Sequence, residues 1–143
     1  MIEEICLAAQ NLSENHTGAL IVLERRIGMR ALEEDAVRLD IKVNALVLES
    51  IFYPNSPLHD GAVIIRDMRI QAAGCLLPLS TNEEIDKNLG TRHRAGIGIT
   101  EVSDAIAIVV SEETGKIAYV KAGKVTKINN INELKLLLGE SLG

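Results

Sequence analysis

The stretch Ala62–Leu76, AVIIRDMRIQAAGCL, decides the fold class of this chain. It contains two apolar runs, 62–66 and 69–76, joined at Asp67-Met68, and this pattern predicts a β-hairpin. Pro78 ends the second strand. On both sides of the hairpin, short apolar runs typical of buried strands alternate with amphipathic runs typical of helices.

These runs predict an α/β fold in one domain over residues 1–143, with a central twisted mixed β-sheet flanked by helices. Further strands are predicted over 19–23, 105–110, 117–121 and 124–128. Helices are predicted over 2–12, 31–39, 43–52, 80–89, 91–102 and 131–138. The run 43–52 could also be a strand, and a helix is favoured because one helical face would contain Val43, Leu46, Val47, Ser50 and Ile51. Thr91 is the expected N-cap of the fifth helix, and Gly139 the expected end of the last. Gly96 and Gly98 weaken the fifth helix, so another segment should pack closely against it.

Composition excludes several function classes. The chain has 143 residues, 47% of them hydrophobic and 2% aromatic, with a net charge of −5. An acidic chain with so few aromatic rings is not expected to bind nucleic acid. Cys6 and Cys75 lie in apolar surroundings without metal-type spacing, so both are expected to be buried, reduced thiols. No apolar run reaches the ~18–20 residues of a membrane span, and no signal peptide is visible, so a cytoplasmic domain is expected.

Two polar clusters carry the candidate chemistry. His59-Asp60-Gly61-Ala62 offers a carboxylate for a hard cation beside small residues that admit a ligand to the backbone. Thr91-Arg92-His93-Arg94 offers guanidinium groups for phosphates at a predicted helix N-terminus. Each cluster alone has a plainer interpretation, namely an ordinary Asp-Gly turn and a solvated basic turn paired with Glu83, Glu84 or Asp86. Ser111-Glu112-Glu113 follows a buried strand and is either a ligand-binding strand end or a polar hairpin turn.

Taken together, five blocks resemble the diadenylate cyclase (DAC) domain family, whose signatures are the Asp-Gly-Ala and Arg-His-Arg motifs. The blocks span about residues 17–128 in the family's order. They are Asn55-x-Pro57-Leu58-His59-Asp60-Gly61-Ala62-Val63-Ile64-Ile65, Cys75-Leu76-Leu77-Pro78-Leu79, Leu89-Gly90-Thr91-Arg92-His93-Arg94-Ala95, Gly98-Ile99-Thr100-Glu101 and Ile108-Val109-Val110-Ser111-Glu112-Glu113-Thr114-Gly115. The detail is most similar to the membrane-anchored type, whose catalytic domain follows N-terminal transmembrane helices that this sequence lacks. A full-length protein of that type lies at the cell membrane with this domain facing the cytoplasm.

The resemblance implies condensation of two ATP molecules into cyclic di-AMP with release of two pyrophosphates. It implies a divalent metal ion, Mn²⁺ or Mg²⁺ with Co²⁺ as a further candidate, on Asp60, with His59 and Glu112 as weaker candidate ligands. The implied catalytic residues are Asp60, Arg92, His93 and Arg94. The implied ATP-binding residues are Gly61, Ala62, Gly74, Cys75, Leu76, Leu77, Pro78, Thr91, Arg92, His93, Arg94, Ser111, Glu112 and Glu113.

One residue departs from the family pattern. Many relatives carry an aromatic residue after the cysteine of the second block, where it can stack on adenine, and here Leu76 takes that place. The two-fold symmetry of the product implies that two face-to-face chains each bring one ATP, and protein regulators are further candidate partners. Two other interpretations stay open, a nucleotide-binding sensor without catalysis and a generic metal-dependent phosphohydrolase.

Overall fold

The computed structural model describes residues 1–142. Its center is a seven-stranded mixed sheet with the strand order β2-β4-β3-β1-β5-β6-β7. The strands are β1 (Ala19–Leu23), β2 (Val37–Lys42), β3 (Ala62–Arg66), β4 (Arg69–Cys75), β5 (Ile106–Val110), β6 (Ile117–Lys121) and β7 (Lys124–Ile128). The helices are α1 (Ile2–Glu14), α2 (Ala45–Phe52), α3 (Thr91–Glu101) and α4 (Ile131–Leu142), with a short 3₁₀ helix at Arg30–Glu33. The predicted α/β class and the single domain with its mixed sheet are confirmed.

The sheet separates two apolar cores. β1 and β5 are buried along their whole length, and alternate side chains of each strand enter opposite cores. On one face, α1, α2 and α4 cover the core that contains Ile21 and Ile108. On the other face, α3 packs against Leu20 and Val109. Among residues 1–142, α3 is the one α-helix on this face, and Met29 and Leu32, at the 3₁₀ helix, also pack there.

The only parallel strand pair among the described residues is β1 with β3, in the register Ile21↔Val63. β5 lies antiparallel to β1 and β4 antiparallel to β3, with Ala19 opposite Val110 and Ala62 opposite Cys75. The starts of β1 and β3 therefore meet the ends of β4 and β5 at one edge of the sheet. Segments that follow or precede these strands at this edge come together there.

Two helix predictions are wrong. Residues 31–39 form the end of the 3₁₀ helix and the start of β2, an edge strand that pairs with β4 and is largely exposed. The strand reads Val-Arg-Leu-Asp-Ile-Lys, an apolar–polar alternation typical of a strand, and the helix predicted over 31–39 cut across that alternation. Residues 80–89 form turns in which Asn82 and Asp86 side chains accept backbone N–H bonds two residues later, at 2.9 Å each. Such local bonds compete with the helical ladder.

Three helix details also differ from expectation. α3 begins at Thr91 itself with Gly90 as N-cap, so Thr91 is the first helical residue and not the cap. α4 continues through Gly139 to Leu142, because a glycine inside a helix costs only about 1 kcal/mol and packing of Leu134 and Leu138 offsets it. α2 begins at Ala45, two residues after the predicted start, and buries Leu48 and Phe52, whereas Leu46 on the face that favoured a helix is exposed.

The close packing expected at the α3 glycines is present. A Cβ at Gly98 would lie 2.0 Å from the carbonyl oxygen of Pro78, and one at Gly96 would lie 3.2 Å from the Val109 side chain. The backbone after β4 therefore crosses directly over α3 at Gly98. This contact fixes the position of the segment between the two polar clusters of the sequence.

Candidate active site

A cavity of about 610 Å³ opens at the sheet edge where β1 and β3 start and β4 and β5 end. This volume lies within the range of small-molecule sites. The cavity is lined by Leu20, His59, Asp60, Gly61, Cys75, Leu76, Leu77, Leu79, Gly90, Thr91, Arg92, His93, Ala95, Val110, Ser111, Glu112 and Glu113. The three polar segments singled out in the sequence thus share one cavity.

Four of the candidate residues do not line this cavity. Ala62 and Gly74 belong to the strands behind it, and Pro78 packs its backbone on Gly98. Arg94 lies on α3, half-buried, and its backbone carbonyl accepts a 3.0 Å bond from the Ser80 N–H. In this single chain these four residues support the cavity wall.

The structure adds lining residues that the sequence reasoning did not select, namely Leu20, Leu79, Gly90, Ala95 and Val110. Leu20 and Val110 had been identified only as strand residues. Their signal was available in principle, because both stand at strand ends beside polar segments. The pairing of β1 with β5 that brings them together could not be read from the sequence.

His59 and Asp60 form one wall. Nδ1 of His59 lies 2.7 Å from the Ser56 carbonyl, which can only accept, so Nδ1 is the donor. In the neutral ring, Nε2 then carries the lone pair, and it lies 3.8 Å from Oδ1 of Asp60. The Asp60 side chain is 90% exposed. A cavity-facing carboxylate beside a ring nitrogen with a free lone pair is suited to binding a cation.

Gly61 sets the direction of this wall. Its φ of +91° lies in the left-handed region, and a Cβ there would stand 2.8 Å from the Cys75 carbonyl oxygen. Only glycine avoids both the strain and the collision. The chain can therefore turn from Asp60 into β3 while its backbone touches the end of β4.

The opposite wall is the N-terminus of α3. The N–H groups of Thr91, Arg92 and His93 belong to the first turn of the helix, where they have no intrahelical acceptor. Unpaired N–H groups and the positive end of the helix dipole favour anions, and the Arg92 guanidinium adds a full charge. This wall is suited to phosphate.

Arg92 pairs with Glu112, with Nη1 3.3 Å from Oε2. Among residues 1–142, no ion pair joins the basic cluster to Glu83, Glu84 or Asp86, so the plainer interpretation of a basic turn paired with these acids does not hold. The Arg92 side chain is only 25% exposed. The pair links the α3 wall to the turn after β5.

That turn holds Ser111 and Glu112 in a fixed loop. The Ser111 carbonyl accepts from the Gly115 N–H at 2.9 Å, and Oγ of Ser111 accepts from the Thr114 N–H at 3.2 Å. Gly115 has a φ of +73°. A strand end followed by this closed turn places Glu112 over the cavity.

Two titratable groups in the cavity are shifted toward their neutral forms. Burial, and to a smaller extent the charge of Arg92, lowers the pKa of His93 from its ordinary value of 6.5. Burial, assisted by the Glu33 carboxylate, raises the pKa of the Cys75 thiol to about 12. His93 is therefore a neutral hydrogen-bonding group at pH 7, and Cys75 is an apolar wall residue and no nucleophile.

No group of three His, Cys, Asp or Glu side chains within residues 1–142 is arranged to hold a metal ion alone. The donors at His59 and Asp60 still fit a hard divalent cation, since Mg²⁺ commonly takes one or two protein carboxylates and completes its shell with substrate phosphates. A cation here would be bound partly by these protein groups and partly by the oxygens of a bound polyphosphate.

A known family model and several curated relatives match most of this chain. The family model described as DisA bacterial checkpoint controller nucleotide-binding, abbreviated DAC, matches residues 6–125. The cyclic di-AMP synthase CdaA of Bacillus subtilis is 45% identical over 137 residues, which cover 96% of this chain and 50% of CdaA. A diadenylate cyclase of Listeria monocytogenes is 46% identical over 141 residues, covering 98% of this chain and 52% of the relative. The chain thus spans about half the length of these relatives.

Solved structures extend the likeness to three dimensions. A double mutant of DacA from Staphylococcus aureus superposes with a TM-score of 0.95 at 42% identity, covering 98% of this chain and 93% of that one. A Bacillus cereus protein described as a hypothetical membrane spanning protein superposes with a TM-score of 0.86 at 46% identity, and the match covers 90% of this chain and 63% of that one. Within residues 1–142, no helix has the length and apolar character to cross a bilayer. The family match and these identities show that the chain belongs to the DAC family of nucleotide-binding domains.

Proposed function

We propose that this chain is the catalytic domain of a diadenylate cyclase, and that it condenses two ATP molecules into cyclic di-AMP with release of two pyrophosphates. The observation that carries the proposal is one cavity that joins a cation wall, His59 and Asp60, to a phosphate wall at the N-terminus of α3. The names of the relatives support it, since CdaA is a cyclic di-AMP synthase and the Listeria protein a diadenylate cyclase. The proposed domain comprises the whole chain, 1–143.

The phosphate wall would hold the triphosphate. The N–H groups at Thr91 and His93 and the guanidinium of Arg92 donate to phosphate oxygens, and Ser111 can add a hydroxyl. Neutral His93 can donate a hydrogen bond without adding a second charge beside Arg92. Arg94, outside the cavity of the single chain, is proposed to reach phosphate once a second chain and ATP complete the site. Positioning and charge neutralisation of this kind supply most of the catalysis in nucleotidyl transfer.

The cation wall would prepare the nucleophile. Asp60 would hold a divalent metal ion, with His59 and Glu112 as further ligands and Mn²⁺, Mg²⁺ or Co²⁺ as candidates. When bound, such an ion neutralises phosphate charge and lowers the pKa of a coordinated hydroxyl. Asp60 itself lies exposed at the cavity mouth, where it can accept the proton of an incoming 3′-hydroxyl. The attack forms a 3′–5′ phosphodiester bond and expels pyrophosphate.

The adenosine would lie against the end of β4. Gly61, Cys75, Leu76 and Leu77 line the cavity there, and the neighbouring Ala62, Gly74 and Pro78 shape the backbone. Cys75 offers an apolar surface, because its thiol is neutral at physiological pH. Leu76 is 81% exposed at the rim, so it contacts the base from outside and does not enclose it.

Two chains are needed for the full reaction. Each chain has one set of motifs, whereas the product contains two equivalent phosphodiester bonds, and the simplest assembly is a face-to-face homodimer with one ATP per chain. The relatives' greater length, and the membrane-spanning description of the Bacillus cereus neighbour, support a membrane-associated full-length protein that faces the cytoplasm with this domain. Control by protein regulators is part of the same proposal.

The test is to incubate the protein with ATP and Mn²⁺ or Mg²⁺ and to identify the products by mass spectrometry. We expect cyclic di-AMP and two pyrophosphates per product. Binding of ATP without any cyclic dinucleotide, at every metal and protein concentration, would instead support a nucleotide sensor. Release of inorganic phosphate from ATP by single chains would support a phosphohydrolase.

A further inference from the structure

Arg92 lies against a residue that none of the motifs includes. A methyl group built on Gly18 would stand 2.3 Å from Nη1, 2.5 Å from Cζ and 3.0 Å from Nε of Arg92. Three atoms of one guanidinium group therefore occupy the space that a side chain at position 18 would need. The planar group packs on the backbone between α1 and β1, and this packing accounts for its low exposure.

The backbone conformation does not itself require glycine at position 18. Gly61, Gly74, Gly115 and Gly123 have positive φ angles, whereas Gly18 is outside that region. Among these positions, only Gly18 meets a flexible charged side chain that belongs to the cavity. The physical requirement at position 18 is thus the space that Arg92 occupies.

Residues 13–18, which include Gly18, also hold the turn that contains Glu112, the residue that accepts from Arg92. Oγ of Ser13 donates to the Gly115 carbonyl, and the Gly115 N–H closes the turn that contains Glu112. The segment is itself held to α1, because the Thr17 N–H bonds the Leu12 carbonyl at 2.9 Å. Both partners of the Arg92–Glu112 pair therefore rest on residues 13–18, which immediately precede β1.

We propose that Gly18 is a positioning residue of the phosphate site: it provides the flat backbone surface that holds the Arg92 guanidinium toward the cavity. The inference rests on the proposed function for its catalytic meaning. Fixing a free arginine side chain costs conformational entropy, so a preformed surface favours the phosphate-binding orientation before ATP arrives. A methyl group at position 18 displaces the guanidinium and leaves the main chain free to stay in place.

The test is a double-mutant cycle with Gly18→Ala, Arg92→Ala and the double variant. Gly18→Ala should lower kcat/KM for ATP about 10- to 100-fold, because displacement of a positioning group by 1 Å can cost about 100-fold. In the Arg92→Ala background the same change should have less than about a 2-fold further effect. Gly28→Ala is the matched control, since a Cβ at Gly28 meets nothing within 4 Å. It should behave as wild type.

Two further measurements separate this inference from a general folding defect and from the proposed function. Isothermal titration should show weaker ATP binding by Gly18→Ala and unchanged binding of adenosine, which has no phosphates. Any loss of thermal stability in Gly18→Ala should disappear in the Arg92→Ala background, where the collision is gone.

Additive effects of the two substitutions, equal loss of ATP and adenosine binding, or a Gly18→Ala defect in stability that persists without Arg92 would each overturn the role of Gly18. Wild-type ATP affinity in Gly18→Ala would overturn it as well. A wild-type protein that binds ATP, shows the coupling and makes no cyclic dinucleotide would overturn the proposed function and leave the role of Gly18 in place.

Discussion

Asp60 is a carboxylate that the fold presents to solvent at the cavity mouth, with 90% of its side chain exposed. Asp60→Asn keeps the size of the side chain and removes its charge. We expect product formation from ATP to fall by at least about 100-fold, as for loss of one electrostatic group at a reacting centre. ATP binding and the melting temperature should change little, because Asp60 makes no buried contact. Quantifying cyclic di-AMP by mass spectrometry checks this, and wild-type turnover would remove Asp60 from the mechanism.

Leu76 stands where many relatives carry an aromatic residue, so restoring a ring there tests whether this position contacts adenine. It lies at the rim of the cavity, and a ring there could stack on adenine, an interaction worth about 1–3 kcal/mol per base. Leu76→Tyr should therefore lower the Kd for ATP several-fold. Leu136→Tyr is the control, because Leu136 is also exposed but belongs to α4 on the other face of the sheet. An unchanged Kd in Leu76→Tyr would place the adenine elsewhere.

His93 should make stability depend on pH. Its pKa is lowered by burial and by Arg92, so the unfolded chain takes up this proton at a higher pH than the folded protein does. The free energy of unfolding should therefore fall as the pH drops below about 6.5 and recover as the pH rises. His93→Gln removes this contribution, so its stability should vary less between about pH 5 and 7. Urea unfolding across this range is the measurement, and an equal slope in both proteins would contradict the prediction.

At the scale of elements, α3 and α4 should respond in opposite ways to a glycine-to-alanine substitution. Gly98→Ala places a methyl group 2.0 Å from the Pro78 carbonyl oxygen, which belongs to a backbone that cannot move without distorting the cavity wall. We expect a loss of roughly 1–3 kcal/mol in the free energy of unfolding, as for overpacked sites. ATP binding should weaken as well, because Leu77 and Leu79 flank Pro78 in that wall.

Gly139→Ala in α4 is the counterpart. A Cβ at Gly139 meets nothing within 4 Å, so only helix propensity changes, and stability should rise by up to about 1 kcal/mol. Chemical denaturation of both variants measures the pair. Stabilisation by Gly98→Ala would show that the Pro78 segment moves freely, and this result would contradict the close packing.

The elements that could be predicted are those whose signal is local. β1, β3 and β6 lie at their predicted positions because an apolar run between turn residues is sufficient evidence for a strand. β2 was missed although Val37–Lys42 alternates apolar and polar residues, because the helix predicted over 31–39 ended inside that alternation. The helix predicted over 80–89 failed because side chains such as Asn82 bond the backbone locally. The first signal could be read locally, whereas hydrophobic periodicity does not report the second.

The candidate site was predictable to a similar extent. His59, Asp60 and Arg92 could be selected by their chemistry and by family resemblance, and the structure brings them into one cavity. The contact of Gly18 with Arg92 joins residues 74 positions apart in the sequence. Only the parallel pairing of β1 with β3 and the packing of α3 on β1 bring it about. Such contacts depend on tertiary structure and leave no motif.

At the scale of the whole molecule, the cavity is open and its rim carries exposed Leu76 and Leu79, as expected of a half-site that meets a second copy. If each chain activates one 3′-hydroxyl, a mixed dimer of wild type and Asp60→Asn can form only one of the two phosphodiester bonds. It should release one pyrophosphate and give a linear dinucleotide that keeps one 5′-triphosphate.

Equal amounts of the two proteins should therefore give the largest fraction of linear product in a rapidly quenched reaction, whereas each protein alone should give little. Liquid chromatography with mass spectrometry separates the linear and cyclic products.

The total product should also rise more steeply than linearly with protein concentration while dimers are scarce, because dimer concentration follows the square of the monomer concentration. In the mixing experiment, a reduced yield of cyclic di-AMP without any linear product would show that one Asp60 serves both bonds. In the concentration series, a strictly linear dependence down to the lowest measurable amounts would contradict assembly during the assay.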